Sequence, residues 1–412
     1  MGFHPSKRGA LPTLLLSMLT VSSCSILPES FNSATNAFSK RASKKTTVPL
    51  TSDGGFWFAN VSVGDGSSMN LLIDTGSTDV VLNPGKYKPS DASVNGNETF
   101  TLSYGTAESN GTGTATINGT VYHDTVTLGG LKVENQTIGV SNSTDSSTEY
   151  PHDGIIGFGA QQFAANNATS YFHNLCEENL VDDCRFGIAL DNATAGSFVI
   201  GTLDDDLFDG DLTTSPLVEE WFTYGDVVVG GQTLEGDAII EFDSGSAAIV
   251  GPTDVVTKIF DSVGARISSE ETSEGLLLTA QVACDVNSTV GFRFPSSNTF
   301  NISLGALLVP STNASDPNCT ISLVAQDFPD LPGLWVLGQT FFQGKYLDHN
   351  LDDQTIGIAT LKTSANSSSS GSESGSGSGG DSGSSSNAAT SLSFGINLLL
   401  CILAVMLGVS ML

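Results

Sequence analysis

The sequence predicts an all-β protein made of two related lobes, and three observations support this prediction. Short runs of alternating apolar and polar residues dominate the middle of the chain, and long helical patterns are scarce. Gly, Asn and Asp separate these runs, as is typical of strands joined by turns. One short acidic motif also occurs twice, once in each half of the chain.

Composition and charge narrow the class of protein. The chain has 412 residues, which is enough for a sizeable core, and 39% of them are hydrophobic against 14% charged. These values exclude a disordered acidic chain and a coiled coil. The formal net charge of -29 leaves no basic surface for a phosphate backbone, so we expect no nucleic-acid partner. A low number of Lys and Arg residues is also typical of proteins that work in acid.

The N-terminal residues predict export from the cell. Residues 1–24 have the pattern of a secretory signal peptide, in which Lys7 and Arg8 precede a short apolar stretch and small residues follow it. Residues 25–41 are polar and end in a dibasic pair at Arg41, which predicts a short propeptide and therefore a zymogen.

The C-terminal residues predict a lipid anchor. Residues 363–389 form a spacer rich in Ser and Gly, and residues 390–412 are an apolar tail with no Lys or Arg after it. A spacer, small residues near Asn387 and a terminal apolar tail are typical of a GPI-anchor signal, which is removed. The alternative is a membrane span, which would normally carry basic residues on its cytoplasmic side. Many Asn-x-Ser/Thr sequons agree with a secreted glycoprotein.

The folded part is expected within residues 47–362, with an N-terminal lobe at 47–212 and a C-terminal lobe at 213–362. Alternation predicts strands at Phe56–Val63, Asn70–Ile73, Thr99–Tyr104, Thr125–Leu128, Phe186–Leu190, Ser197–Ile200, Asp226–Val229, Ala238–Phe242, Gly275–Gln281, Gly305–Val309 and Thr355–Ala359. Helical spacing predicts three short helices, at Thr169–Glu178, Pro252–Val263 and Gly338–Gln343.

The repeated motif joins an apolar strand to an acidic turn. Leu71–Ser77 in the first half matches Ile239–Ser246 in the second, and each is followed later by two apolar residues and a Gly, ending at Gly157 and Gly338. A single Asp-Thr/Ser-Gly turn is weak evidence of function, because turns use these residues routinely. Two copies with the same flanking elements are far more specific.

The motif places Asp74 and Asp243 at strand ends, where facing lobes would bring them together. Two carboxyl groups at close range share a proton, which supplies a general base and a general acid from one residue type. Such a pair can activate a water molecule for peptide hydrolysis without a metal or cofactor. The backbone and hydroxyl groups that could hold the pair belong to Thr75, Gly76, Ser244 and Gly245. The five His residues show no metal-ligand spacing, so no metal site is expected.

These motifs resemble those of the pepsin-family aspartic proteases over roughly Val48 to Leu361. Beside the two Asp motifs, the resemblance is carried by Thr99–Gly105, Asp124–Gly129, Asp153–Phe158 and Leu334–Gly338. The terminal spacer and tail are similar to those of GPI-anchored fungal members such as yapsins.

The resemblance implies a bilobal pepsin-like fold with a cleft that binds an extended polypeptide substrate. It implies that Ser77 and Ser246 hydrogen-bond the catalytic carboxylates, and that Tyr104 belongs to the family's flap. The chain departs from the family in several places. Its second motif is Asp-Ser-Gly rather than Asp-Thr-Gly, which the family tolerates because Ser keeps the hydroxyl, and the expected propeptide is short. Val81 stands where the family often has Trp, and the segment after Tyr104 is longer than usual and carries sequons such as Asn110.

Four cysteines remain after the ends are removed, and the sequence alone permits three pairings among them. The resemblance implies a Cys284–Cys319 bridge in the second lobe, which leaves Cys176 to pair with Cys184. Trp221 is expected in the core rather than in contact with substrate, and so is Trp335.

The sequence therefore predicts a monomeric aspartic endopeptidase with an acid pH optimum. It would act on extracellular or cell-wall proteins from the outer cell surface, held there by its GPI anchor. The alternative function is a non-enzymatic surface glycoprotein that uses the same fold to bind peptides. The two retained aspartates favour the enzyme.

Overall fold

The computed structural model describes residues 45–53, 55–105, 114–142, 153–165, 168–191, 195–272, 275–295, 298–311, 316–329 and 331–362. Two large β-sheets account for most of this part, so the all-β prediction is confirmed. The expected signal peptide, propeptide, spacer and GPI-anchor signal, with Asn387, lie outside the described residues.

The first sheet has thirteen strands and includes both ends of the described chain. In spatial order its strands are Phe208–Pro216, Thr355–Leu361, Lys345–Asn350, Arg185–Leu190, Ala195–Ile200, Thr46–Asp53, Phe56–Val63, Ser67–Asp74, Gly154–Gly157, Val80–Leu82, Leu131–Ser141, Thr114–Leu128 and Val94–Gly105. Ten strands of this sheet come from the first half of the chain, and Phe208–Pro216 and two strands from the C-terminal end of the described chain complete it.

The second sheet has eleven strands, all from the second half of the chain. Ten follow one path, in the order Thr299–Ser303, Thr289–Arg293, Phe222–Val229, Gln232–Phe242, Leu334–Leu337, Ile249–Gly251, Leu323–Gln326, Gly275–Ala283, Asn318–Ile321 and Leu308–Pro310. The remaining strand, Arg266–Thr272, pairs with Gly275–Ala283.

Helices are short and lie where the sequence predicted them. The α-helices of the described chain are Tyr171–Glu177, Thr253–Ser262 and Gln339–Phe342, and 3₁₀ turns occur at Gln161–Phe163 and Leu304–Leu307. The strand predicted at Gly305–Val309 is wrong over its first three residues. Leu304 and Leu307 are both buried, and this three-residue spacing suits one face of a 3₁₀ turn, so the strand begins only at Leu308. None of the helices in the described ranges is long and apolar enough to span a membrane.

The sequence repeat corresponds to the same strand arrangement in both sheets. Ser67–Asp74 pairs in parallel with Gly154–Gly157, and Gln232–Phe242 pairs in parallel with Leu334–Leu337. Close packing requires glycine at the end of the strand Gly154–Gly157. A Cβ atom at Gly157 would meet the backbone of Ser77 at 2.5 Å, so the turn after the aspartate could not lie against this strand.

Aromatic side chains fill the core below the first sheet. Phe158 packs edge-on against Phe198 at 4.7 Å between ring centroids, and Phe186 packs in the same way against Trp221 at 5.3 Å. Trp221 is buried, and its indole N–H donates to the carbonyl oxygen of Phe158 at 2.6 Å. Trp335 is also buried, which confirms the core positions predicted for both residues.

Two disulfides cross-link the described chain. Cys176 pairs with Cys184, which ties the helix Tyr171–Glu177 to the strand after it. Cys284 pairs with Cys319 within the second sheet. The second is the bridge that the resemblance implies, and the first is the pair that it leaves.

Candidate active site

Two strand ends deliver the two aspartates of the repeated motif. Asp74 is the last residue of the strand Ser67–Asp74, and Asp243 directly follows the strand Gln232–Phe242. Both side chains are 0% exposed. Since a buried ionised carboxylate needs hydrogen bonds or a partner, the surroundings of both groups determine their chemistry.

Each turn holds its own carboxylate in the same way. In the first lobe the backbone N–H of Gly76 donates to Asp74 Oδ1 at 2.9 Å, and the Ser77 hydroxyl donates to Oδ2 at 2.6 Å. In the second lobe the corresponding donors, Gly245 N–H and the Ser246 hydroxyl, reach Asp243 at 2.7 and 2.5 Å. Every carboxylate oxygen therefore has a donor, which fixes the orientation of both groups.

The residues next to the aspartates join the two lobes. The Thr75 hydroxyl accepts from the backbone N–H of Ser244 at 2.8 Å and donates to the carbonyl oxygen of Phe242 at 2.8 Å. Reciprocally, the Ser244 hydroxyl accepts from Thr75 N–H at 3.0 Å and donates to the carbonyl oxygen of Ile73 at 2.7 Å. These four buried hydrogen bonds fix one turn against the other.

The two carboxyl groups share one small space. A side-chain hydrogen bond joins Asp74 to Asp243. The glycines of the two turns permit this approach, because a Cβ atom at Gly76 would lie 2.5 Å from Asp243 Oδ1. A Cβ at Gly245 would likewise overlap the carboxyl group of Asp74. Any larger residue at either position would therefore displace the opposite carboxyl group.

Burial and mutual repulsion set the protonation of the pair. Burial raises the pKa of Asp74, although its hydrogen bonds with Ser77, Gly76 and Asp243 oppose the rise. Burial raises the pKa of Asp243 well above its usual range, and the charges of Asp74 and Glu241 raise it further. Two carboxyl groups in this setting hold one proton between them over a broad acid range, and the titration belongs to the pair.

Glu241 is a buried acid beside this pair that the sequence did not single out. It is 7% exposed, and burial followed by the charge of Asp74 raises its pKa to about 8. The sequence signal that could have found it is the repeat itself. Glu241 stands two residues before Asp243, whereas Leu72 stands two residues before Asp74.

The segment that the resemblance identifies as a flap is described only in part. Tyr104 lies in the strand Val94–Gly105, directly opposite Ala115 in the antiparallel strand Thr114–Leu128. The Tyr104 side chain and residues 106–113, including Asn110, lie outside the described part of the structure. Val81 is buried in an apolar cluster.

Within the described residues, one acidic group could hold a metal ion, formed by Asp204, Asp205 and Asp206. Lys45 Nζ lies 2.5 Å from Asp204 Oδ1 and already provides a cation there. Asp205 and Asp206 are exposed, as is common for acidic groups that bind no metal.

The sequence matches the family model for eukaryotic aspartyl protease over residues 56–361. It is 25% identical over 340 residues to an aspartic protease of Phaffia rhodozyma, covering 78% of this chain and 80% of that protein. It is 27% identical over 320 residues to pepsin A of Sus scrofa, covering 74% of this chain and 80% of the relative. The crystal structure of an aspartic proteinase from Irpex lacteus has a similar fold, with a TM-score of 0.64 and 22% identity, covering 77% of this chain and 97% of that one. The bilobal pepsin-like fold is thereby confirmed.

Proposed function

The chain belongs to the eukaryotic aspartyl protease family, and we propose that Asp74 and Asp243 are the pair with which it hydrolyses peptide bonds. Membership makes it an aspartic-type endopeptidase, a hydrolase whose substrates are polypeptides. One observation carries the assignment of the residues. The two carboxyl groups are fully buried, hydrogen-bond each other, and each receives a backbone N–H and a Ser hydroxyl from its own turn.

The pair divides acid and base work between its two carboxyl groups. The ionised carboxyl takes a proton from a water molecule, whose oxygen forms a bond to the peptide carbonyl carbon. The protonated carboxyl gives its proton to the carbonyl oxygen, which yields a neutral tetrahedral diol. Collapse of the diol breaks the C–N bond as the leaving nitrogen takes up a proton from one carboxyl group, while a diol hydroxyl gives its proton to the other, so the pair again holds one proton. The buried donors hold both groups in place throughout, so little reorganisation is needed.

Activity is expected to be highest in acid. The mechanism needs one proton on the pair, and the raised pKa of Asp243 keeps it there in acid and weakly acid solution. As the pH rises towards neutral and beyond, this proton is lost, no general acid remains, and the rate falls. The sign follows from the direction of the shift, since a raised pKa extends the protonated form to higher pH.

Cleavage of a peptide library by the purified protein between about pH 3 and pH 7 tests this function. We expect cleavage that is fastest in acid and that is blocked by pepstatin. If no peptide is cleaved at any pH, yet peptides still bind, the chain uses its fold as a peptide-binding module and the proposal is wrong.

The site of action is the outer cell surface or cell wall, and the chain acts there as a monomer bound by a GPI anchor, as yapsin-like proteins do. Residues 1–24 and 363–412 support this proposal through their composition alone. Phosphatidylinositol-specific phospholipase C should release the protein from intact cells. A matched control chain that ends at Ala365 should appear in the medium without lipase. Protein that stays membrane-bound after lipase and retains its apolar tail would instead indicate a membrane span.

A further inference from the structure

The strands at the open ends of the two sheets differ in how they avoid pairing with another chain. An end strand exposes unpaired backbone N–H and C=O groups, and proteins protect it with charges, Pro, bulges or very short length. At one end of the first sheet, Phe208–Pro216 carries the exposed acids Asp209 and Asp211 and ends in Pro. At one end of the second sheet, Leu308–Pro310 is very short and also ends in Pro. The strand Arg266–Thr272, off the main path of the second sheet, is rich in charged residues.

The two remaining end strands lack this protection over most of their length. In the first sheet, Val94–Gly105 pairs on one side only among the described residues, and a bulge interrupts it near its start. Beyond the bulge, Thr99–Gly105 pairs regularly and contains neither a charged residue nor Pro. In the second sheet, Thr299–Ser303 likewise pairs on one side only within the described chain, and it too has no charged residue and no Pro. Their backbone alone would therefore favour pairing with a second copy of the chain.

Each of these two strands carries an exposed Asn-x-Ser/Thr sequon. Asn97 lies in the bulge with a φ of 55°, a left-handed conformation that Asn tolerates, and both Asn97 and Thr99 of its sequon are exposed. Asn97 Nδ2 donates a long hydrogen bond, 3.4 Å, to the carbonyl oxygen of Asn95. Asn301 lies in the middle of the other strand, and both Asn301 and Ser303 of its sequon are exposed. A sugar attached to either Asn would extend into solvent rather than into the core.

We propose that Asn97 and Asn301 carry N-linked oligosaccharides, which cover the open ends of the two sheets and keep the chain monomeric. This inference rests on the export of the chain that is proposed above, because such sugars are added to exported proteins. A second strand would have to come within about 4.8 Å of the end strand to pair with it. A bulky, hydrophilic group attached to that strand prevents this approach.

The modification transfers an oligosaccharide from a lipid pyrophosphate donor to the side-chain amide. Asn Nδ2 forms a bond to the first carbon of the sugar. The bond from that carbon to the pyrophosphate oxygen breaks, and the lipid pyrophosphate leaves and takes up the proton that Nδ2 loses. The product is an N-glycosyl amide, which adds no charge to the chain.

Mapping of the modified residues tests the first part of the proposal. The full chain is produced in a eukaryotic cell that adds N-linked glycans and is purified in mild detergent. Enzymatic removal of the glycans by amide hydrolysis in heavy-oxygen water converts each occupied Asn into a labelled Asp, which mass spectrometry locates. We expect the label at Asn97 and at Asn301 in most molecules.

Loss of the two sequons tests the second part. The double variant Thr99→Ala with Ser303→Ala removes both sequons and leaves each Asn in place. In analytical ultracentrifugation at equal concentration, we expect it to shift to dimers and larger species, whereas the wild type sediments as a monomer. The matched variant Thr99→Ser with Ser303→Thr retains both sequons and should stay monomeric. Asn135→Gln removes an exposed sequon from the interior strand Leu131–Ser141 and should also stay monomeric.

The possible failures are distinguishable. If other sequons carry glycans but Asn97 and Asn301 do not, the inference is wrong while export stands. If no sequon carries a glycan, the proposed export fails and the inference fails with it. If both residues are modified and the double variant stays monomeric, the glycans do not protect the sheet ends. The same conclusion follows if Asn135→Gln associates as strongly as the double variant.

A measurement on the wild type covers the case in which the double variant does not fold. An endoglycosidase that trims each glycan to its first sugar exposes the sheet ends without changing a residue or adding a charge. The trimmed wild type should associate as the double variant does. A trimmed protein that remains monomeric would refute the protective role.

Discussion

His349 should limit the stability of the fold in acid, and this follows from its surroundings. Its imidazole is fully buried, stacks on Phe186 with 4.5 Å between ring centroids, and contacts Trp221 edge-on. Neither ring nitrogen forms a hydrogen bond of good geometry in the described residues, and a weak contact with the backbone of Leu347 offsets only part of the effect of burial. Burial lowers the pKa of His349 to about 3 from an ordinary value of 6.5. The neutral imidazole is therefore strongly favoured in the folded state.

The size of the effect follows from the difference between these two pKa values. As the pH falls below 6.5, the unfolded chain takes up a proton at His349 and the folded chain does not, so the free energy of unfolding decreases. Each pH unit in this window is worth about 1.4 kcal/mol. His349 should therefore remove about 2 kcal/mol of stability by about pH 5 and about 3 kcal/mol by about pH 4. The loss ends near the folded pKa, at about 3.

Replacing His349 by Phe removes the titration and keeps an aromatic ring against Phe186. The larger ring changes packing by an amount that does not depend on pH, so the test is the difference between two pH values. Denaturant unfolding at about pH 7 and pH 4, in an inactive Asp74→Asn background that prevents self-digestion, gives this difference. We expect the loss of unfolding free energy between these two pH values to be about 3 kcal/mol smaller in His349→Phe than in the parent.

The matched control for this experiment is Phe198→Leu, a change in the same aromatic cluster that removes no titrating group. It should lower stability by a similar amount at both pH values. If His349→Phe loses as much stability between the two pH values as its parent, the reasoning about His349 is refuted.

Two further predictions concern the hydrogen bonds between the two catalytic turns and the disulfide of the second sheet. Thr75→Val should destabilise the protein by about 3 kcal/mol and lower kcat, because it leaves Ser244 N–H and the Phe242 carbonyl oxygen without their partner. Thr75→Ser keeps the hydroxyl and should retain the stability and the kcat of the wild type. Equal denaturation midpoints and rates for Val and Ser would contradict this role. Cys284→Ser should cost about 4 kcal/mol in denaturant unfolding, since the bridge to Cys319 closes a long loop, and a loss below about 1 kcal/mol would show that the bridge hardly constrains the unfolded chain.

Much of the candidate site could be predicted from the sequence because its signal is local. An apolar strand followed by Asp, a hydroxyl residue and Gly specifies where the strand ends and which backbone groups face the carboxylate. Asp74 and Asp243 were therefore expected at strand ends, and the structure brings them together. The three helices were similarly visible from their apolar spacing.

Features that depend on contacts between distant residues could not be predicted. The partners of the Thr75 and Ser244 hydroxyls are residues of the opposite lobe, and only the way the lobes face each other selects them. Membership of Lys345–Asn350 in the first sheet depends on a similarly distant pairing. Glu241 was overlooked for another reason: strand propensity depends on the environment of each face, and an acid in an apolar run does not reveal which face is buried.

The most direct test of the catalytic pair is to replace each aspartate singly. Asp74→Asn and Asp243→Asn keep the size of the side chain and most hydrogen bonds but remove the shared proton. Because one turnover needs both carboxyl groups, either variant should lower kcat/KM for peptide hydrolysis by about a thousandfold or more. Both should still fold and be secreted, and the exposed control Asp261→Asn should cleave like the wild type. A folded Asp74→Asn variant with undiminished, pepstatin-sensitive cleavage would contradict the account.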